Sequence, residues 1–314
     1  MTELKKSLAE KLAVIKAERE ILIPNSMDEA CQRYVDDLKF ILDRDIKFNN
    51  PVLMLSGGVD SMMLGCILKK YYGLTQSITC GSAKDTDDIT RSHESAKILG
   101  IEQNSVFVTW DEVLDNLPLC RGHNIATIFD VVLYLVFYLC LKKANVEKLD
   151  LIMGDGADTL LGSVSSFIYM DSTNVMKHFN IPRNEAQTLL KQNYYSEVLA
   201  DPEQVRRRKG SGHLYKEICY ELGANPIMPF KNPDIVRWVN DLDSSFSKPQ
   251  SKLFPKEVIR YLGFNPDKVS RTSMQQGTGL YEKMKEHMMQ LTGTKSPNSA
   301  VKKYMQTTGT IEGL

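Results

Sequence analysis

The segment Leu53 to Gly65, LMLSGGVDSMMLG, restricts the fold more than any other part of the chain. It reads as an apolar strand that runs into Ser56-Gly57-Gly58-Val59-Asp60-Ser61 and then into a helix. Two successive glycines permit positive φ and let a ligand approach the backbone, while a helix start offers unpaired N–H groups and a partial positive charge. The two serines add hydroxyl donors, so the segment predicts a loop that binds phosphate or pyrophosphate.

Asp60 is the unusual member of this loop, because a carboxylate beside a phosphate is repulsive unless a divalent cation lies between them. We therefore assign Asp60 to magnesium. The pattern is not a Walker A motif, since GxxxxGK[ST] requires a lysine that is missing here. A structural strand-to-helix turn in which Asp60 caps the helix is the alternative interpretation.

The pattern of apolar runs along the chain predicts an α/β protein. Four short runs rich in β-forming residues, PVLMLS, SITCG, SVFVTW and LDLIMG, alternate with segments of helical periodicity. Such alternation predicts a parallel sheet covered on both faces. After about Gly162 we expect only helices and loops. The predicted organisation is an N-terminal helical segment at 1–48, an α/β core at 49–165, a helical part at 166–293 that completes the site, and a flexible tail at 294–314.

Charge and composition exclude several classes of function. The 39 basic and 39 acidic residues cancel, so no global field gathers nucleic acid or an anionic membrane surface. The N-terminus lacks the apolar core of a secretion signal, and the most apolar stretch, 131–141, is shorter than the roughly 20 residues that span a bilayer. We expect a cytoplasmic protein in which this stretch is a buried helix. The six scattered cysteines form no CxxC pair and are expected to be reduced and buried.

The SGGVDS segment after an apolar strand resembles the pyrophosphate-binding signature of the N-type ATP pyrophosphatases. These include asparagine synthetase, β-lactam synthetase, GMP synthetase, NAD synthetase and several tRNA-modifying enzymes. The resemblance implies an adenine-nucleotide α-hydrolase-like, Rossmann-like core with an α-helical C-terminal half. It implies that ATP is bound by Leu55, Ser56, Gly57, Gly58, Val59, Asp60 and Ser61, with the adenine near Ile78 to Gly81, including Thr79.

A second segment, LIMGDGADTLLG at 151–162, is similar to the Ser-Gly-Glu-Gly-Ser-Asp-Glu-Leu-Phe-Gly-Gly stretch of asparagine synthetases. A strand ends here, glycines such as Gly154 open the backbone, and Asp155 and Asp158 lie at the carboxyl edge where open α/β sheets bind ligands. The resemblance implies that Asp158 is a second magnesium ligand beside Asp60. A solvated Gly/Asp turn is the alternative.

Two positions in this segment depart from the family pattern. Asp155 stands in place of a family glutamate at the acceptor end of the site, which implies a catalytic position for a carboxylate that is one methylene shorter. Thr159 replaces the next acidic residue. A shift of more than about 1 Å in a carboxylate changes which substrate fits, so the acyl substrate stays open.

The third match lies in the C-terminal half. NPIMPFKNPDIVRWV resembles the Val-Pro-Phe-Leu-Asp segment of asparagine synthetases, and SKLFPKEVIRYLG resembles the following Lys-x-x-Leu-Arg helix. The resemblance implies that Lys256 stabilises the charge that develops during adenylation. Arg260 and Arg271 are weaker candidates for the same anionic cleft. The resemblance covers roughly 26–283 in the family's order.

The resemblance implies an ATP-dependent, amide-forming ligase that uses ATP and Mg²⁺. Such an enzyme adenylates a small-molecule carboxylate, releases pyrophosphate, and transfers the acyl group to ammonia or another amine with release of AMP. Asparagine synthetases carry an N-terminal glutaminase domain that begins with Cys after the initiator Met. Here residue 2 is Thr2, and we expect that domain to be absent. The amine is then free ammonia, ammonia from a separate glutaminase subunit, or an internal amine as in β-lactam synthetase.

Two other functions stay open at this point. One is a nucleic-acid modifying enzyme of the same fold, acting on a tRNA or DNA base, for which the basic run Arg206 to Lys209 and the pair Lys142-Lys143 are the evidence. The same basic run is a candidate lid over the phosphates or simply a solvated loop. The other function is a non-catalytic ATP-binding subunit of an amidotransferase complex. Whether the chain forms a homodimer also stays open.

Overall fold

The computed structural model describes residues 26–123, 125–157, 182, 211–232, 235, 252–267 and 280–306. The helices are α1 (Met27–Asp45), α2 (Val59–Tyr72), α3 (Asp87–Leu99), α4 (Trp110–Asp115), α5 (Ile128–Ala144), α6 (Ser211–Glu221), α7 (Leu253–Tyr261), α8 (Tyr281–Thr292) and α9 (Pro297–Gln306). The strands are β1 (Pro51–Met54), β2 (Gln76–Gly81), β3 (Glu102–Phe107), β4 (Asp150–Ile152) and β5 (Asn225–Ile227). Two 3₁₀ helices span Leu117–Gly122 and Pro229–Lys231.

The five strands form one parallel sheet in the order β3-β2-β1-β4-β5. The four apolar runs named from the sequence are β1 to β4, so the predicted parallel α/β sheet is confirmed. The direction of strand addition reverses at β1, which pairs with β2 on one side and with β4 on the other. In open α/β sheets, ligands bind outside the carboxyl ends of the strands at such a switch point. The SGGVDS loop follows β1 at this position.

The expectation that no strand follows Gly162 was wrong, because β5 pairs in parallel with β4 and extends the sheet. Its sequence, Asn-Pro-Ile, is three residues long and contains Pro226, which cannot donate to a strand ladder. A proline is tolerated here because β5 lies at the edge of the sheet that the described strands form. This strand exists through its pairing with β4 in the folded protein. Local β-propensity could not indicate it.

The predicted frayed tail was also wrong over Pro297–Gln306, which form α9. Ala300, Val301 and Tyr304 are buried on one side of this helix, and α9 packs against α8. Four apolar residues in a ten-residue stretch were too few to stand out as helical periodicity. Residues 307–314 lie outside the described part of the chain.

Helix α5 is buried along most of its length, as predicted for the apolar stretch 131–141. Helices α3 and α5 both pack on β2 and β3, as expected for right-handed crossovers that cover the two faces of a sheet. None of the helices in the described residues combines the length and the apolar character that a bilayer crossing requires. All six cysteines are free thiols, and five of them are buried.

The described residues fall into two compact units. The first contains the sheet with α2 to α6, α8 and α9. The second contains α1 as far as Asp43, together with 155–157, 228–232 and 252–263. Within this second unit, Tyr34 of α1 packs edge-on against Phe254 of α7, with ring centroids 5.2 Å apart. Apart from the tail, in which α9 forms, the division drawn from the sequence stays a prediction.

A buried carboxylate, Asp150, anchors the start of β4. It accepts hydrogen bonds from the backbone N–H groups of Lys47 (3.1 Å) and Phe48 (2.7 Å) and from Nδ2 of Asn225 (2.6 Å). A buried polar group is tolerated when its hydrogen bonds are satisfied in this way. We therefore read Asp150 as structural, because its oxygens are used to hold the amino ends of β4 and β5.

Candidate nucleotide-binding site

The loop between β1 and α2 leaves the start of the helix open to a ligand. Gly58 is the N-cap with φ −82° and ψ 157°, and no side chain of the described residues caps the helix. The Ser61 hydroxyl donates to the Gly58 carbonyl at 3.0 Å and lies 3.3 Å from the Ser56 hydroxyl. The first backbone N–H groups of α2 and two serine hydroxyls therefore lie close together, which suits an anion.

Both the backbone conformation and the packing of this loop require a glycine at position 57. Its φ is +72°, and a Cβ added there would lie 2.4 Å from Cβ and 2.7 Å from the carbonyl carbon of Arg91 on α3. The loop thus rests directly on the first turns of α3, where there is no space for a side chain.

Gly154, two residues after the end of β4, packs against the same helix start. A Cβ added at Gly154 would lie 3.3 Å from the Ser61 nitrogen and 3.5 Å from the Asp60 carbonyl carbon. Of the predicted binding residues, the run from Leu55 to Ser61 and Gly154 are therefore brought together at the switch point. Asp60 itself is half-buried in the first turn of α2.

Thr79 has a structural role that the sequence did not indicate. Its hydroxyl donates to the Leu55 carbonyl and accepts a hydrogen bond of 2.6 Å from Nε2 of Gln103 on β3. This side chain ties the carboxyl ends of β1 and β2 together, so any contact between Thr79 and a nucleotide would come from its backbone.

A pocket that opens to solvent adjoins the loop. Its walls are mostly apolar side chains from β1, β2 and α5, namely Met54, Ile78, Val132, Leu133, Val136 and Phe137. Ser56, Thr79, Cys80 and Asp88 are the polar residues in the lining. A mainly apolar cleft with a few polar groups is typical of sites that bind small organic molecules.

Asp88 is a charged residue of this pocket that was not predicted from the sequence. It lies in the first turn of α3, is 1% exposed, and its Oδ2 is buried without a hydrogen-bond partner among the described residues. Burial, with a smaller contribution from Asp87 and against the opposing effect of Arg91, raises the pKa of Asp88 from 3.8 to about 7. The sequence TDDIT indicates only a helix start with acidic residues. It does not indicate that Asp88 is buried.

Asp88 makes stability depend on pH, and the Asp88→Asn variant tests this. A carboxyl whose pKa rises on folding contributes most stability below its ordinary pKa of 3.8, and this contribution is lost as the pH rises to about 7. Asparagine does not titrate. We therefore expect the free energy of unfolding of the variant, relative to that of wild type, to rise by about 2.5 kcal/mol from pH 5 to pH 8. Urea denaturation at both pH values measures the difference, and an equal difference at both would contradict the burial of a raised-pKa carboxyl.

The predicted residues Asp155 and Lys256 belong to the second compact unit. Asp155 forms an ion pair with Lys231, with Nζ and Oδ2 2.5 Å apart, and the sequence analysis did not identify this partner. Lys256 is half-buried in the first turns of α7. Arg260 pairs with Glu257 at 2.5 Å on the same helix. Asp158, Thr159, Arg271 and the run Arg206 to Lys209 lie outside the described residues.

Of the two predicted magnesium ligands, Asp60 is among the described residues and Asp158 is outside them. No group of three or more His, Cys, Asp or Glu side chains that could hold a metal occurs among the described residues. Mg²⁺ bound with a nucleotide commonly takes one or two carboxylates and completes its coordination with phosphate oxygens and water. Asp60 at the start of α2 fits that pattern as a single carboxylate ligand.

Comparisons with known proteins identify a family. The family model described as asparagine synthase matches residues 46–292. Among solved structures, the NMN synthetase from Francisella tularensis aligns over 88% of this chain and 91% of that chain, with 15% identity and a TM-score of 0.41. An NH3-dependent NAD synthetase from Campylobacter jejuni, solved with nitrate, aligns over 63% of this chain and 93% of that chain, with 13% identity and a TM-score of 0.34. The comparison with curated proteins found no match.

Proposed function

This chain belongs to the asparagine synthase family, and we propose that it adenylates a small carboxylate with ATP, releases pyrophosphate, and transfers the acyl group to ammonia or another amine. The observation that carries the proposal is the arrangement at the β1/β4 switch point. There the uncapped start of α2, two serine hydroxyls and the close approach of Gly154 form a cradle for a pyrophosphate.

In this proposal the β- and γ-phosphates of ATP lie on the loop from Ser56 to Ser61, where they accept hydrogen bonds from backbone N–H groups and from the serine hydroxyls. The close packing of Gly57 on α3 keeps the loop in one conformation, so the donors are oriented before ATP arrives. The base extends into the adjoining apolar pocket.

Asp60, together with Asp158, would hold Mg²⁺ against the triphosphate. The ion, when bound, neutralises charge on the phosphates and stabilises the departing pyrophosphate. The carboxylate of Asp60 lies at the start of α2, where the anionic phosphates also bind, and a cation between the two would remove their repulsion.

The reaction has two steps. A carboxylate oxygen of the substrate attacks the α-phosphorus, the bond to the β-phosphate oxygen breaks, and pyrophosphate leaves, which yields an acyl-adenylate. The amine then attacks the acyl carbon, loses a proton and displaces AMP, which yields the amide. Lys256 would stabilise the charge on the pentacoordinate phosphorus in the first step. Asp155, held by Lys231, would orient the acceptor end of the substrate.

The test is product formation by the purified protein with MgATP, ammonium and a panel of small carboxylates that begins with aspartate. We expect amide, AMP and pyrophosphate in equal amounts with one member of the panel. Amide formation with aspartate would identify an ammonia-dependent asparagine synthetase, and replacing ammonium by glutamine would show whether a separate glutaminase is needed. No pyrophosphate release with any carboxylate would overturn the proposal.

A further inference from the structure

The described lining of the pocket contains one carboxyl group, that of Asp88, and the proposed reaction does not use it. Asp88 lines the pocket at the first turn of α3, almost without exposure, and its Oδ2 lacks a hydrogen-bond partner among the described residues. Buried polar groups are normally hydrogen-bonded, as Asp150 is in this same unit. A buried oxygen without a partner at the wall of a cleft indicates that a ligand supplies the partner.

A purely structural role does not account for Asp88. Acidic residues at a helix start interact favourably with the helix dipole, but Asp87 in the same turn already provides this charge. Asp87 is 59% exposed and pairs with Arg91 at 3.1 Å. Burying Asp88 costs desolvation free energy, although the exposed Asp87 alone supplies the negative charge that favours the helix start.

We propose that Asp88 recognises the nucleobase, and that its protonated carboxyl group binds an amino group next to a ring nitrogen, the edge that adenine presents. This inference rests on the proposed function, because it assumes that the base enters this pocket. A protonated carboxyl offers one O–H donor and one carbonyl acceptor side by side. Adenine offers the complementary pair, whereas guanine offers two adjacent donors that suit an ionised carboxylate.

The surroundings of Asp88 favour the protonated form. The facing wall from β1, β2 and α5 is mostly apolar, and burial raises the pKa of Asp88 to about 7. Among the described residues, the other titratable groups near it are Asp87 and Arg91 on α3 and the Cys80 thiol on β2, while α5 contributes apolar side chains to the pocket. Ionisation of Asp88 would place a negative charge against the lone pair of the ring nitrogen and weaken binding.

The test compares the affinities for ATP and for purine riboside triphosphate, which lacks only the 6-amino group, by calorimetry with Mg²⁺ present. One buried hydrogen bond should give wild type about a tenfold preference for ATP. Asp88→Asn, which keeps a donor and an acceptor, should retain that preference. Asp88→Leu should bind the two nucleotides equally, and the matched control Asp87→Asn should behave as wild type.

A second measurement covers the case in which Asp88→Leu does not fold. The affinity of wild type for ATP should fall several-fold between pH 6 and pH 8.5, whereas that of Asp88→Asn should stay flat. Equal binding of the two nucleotides by wild type, a preference that persists in Asp88→Leu, or parallel pH profiles would overturn the inference alone. Failure of wild type to bind either nucleotide would overturn the proposed function and the inference with it.

Discussion

Replacing Gly57 by alanine is expected to lower the free energy of unfolding by about 3 kcal/mol and to abolish ATP binding. Two physical effects add at this position. Alanine at a φ of +72° costs about 1 kcal/mol or more, and the new Cβ would lie 2.4 to 2.8 Å from Cβ and backbone atoms of Arg91 and Ser92. Because those contacts include helix backbone, neither side can relax by a rotamer change, and the loop must move away from α3.

Gly58→Ala is the matched control for this prediction. Its φ of −82° is ordinary for alanine, and the added Cβ would meet only the Ser56 hydroxyl, at 3.4 Å. We expect a stability change below about 1 kcal/mol. Urea unfolding curves of both variants measure the difference. Equal losses in the two would contradict the packing of Gly57 on α3 as the origin of the loop conformation.

Asp60→Asn is expected to reduce turnover by about a thousandfold while leaving the fold intact. The substitution keeps the size and polarity of a half-buried side chain at the start of α2, but it removes the negative charge that a magnesium ion requires. Loss of metal-assisted charge neutralisation on the leaving pyrophosphate costs several kcal/mol in the barrier. Pyrophosphate release with saturating MgATP measures the effect.

Asp87→Asn is the control for the loss of charge. It also removes a carboxylate from the first turn of a helix in the same unit, but its side chain is exposed and pairs with Arg91. We expect its turnover to stay within about twofold of wild type, because single exposed ion pairs contribute little. If Asp60→Asn retained turnover similar to that of Asp87→Asn, the magnesium role of Asp60 would be wrong.

The parts of this protein that could be predicted from sequence are those in which the residue types themselves indicate the local backbone conformation. The adjacent Gly57 and Gly58 after an apolar run indicated the strand-loop-helix geometry, and alternating apolar runs indicated the parallel sheet. Both kinds of evidence are local. The short β5 and the helix α9 were missed because their stability comes from pairing with β4 and packing on α8, which no local pattern encodes.

The environment of individual side chains was likewise hidden in the sequence. Asp88 and Asp150 are both fully buried aspartates, yet one is satisfied by three hydrogen bonds and the other has an oxygen without a described partner. The ion pair between Asp155 and Lys231 joins positions far apart in the chain. Such contacts form only in the folded protein. A sequence motif therefore indicated Asp155 as a site residue but not Lys231 as its ion-pair partner.

The most direct test of the account is the position at which ATP is cleaved. ³¹P NMR of a reaction containing the protein, MgATP, ammonium and the carboxylate substrate distinguishes AMP with pyrophosphate from ADP with phosphate. We expect AMP and pyrophosphate in equal amounts, formed only when the carboxylate is present. Carboxylate-dependent formation of ADP and inorganic phosphate would show attack at the γ-phosphorus and would contradict adenylation as the reaction of this site.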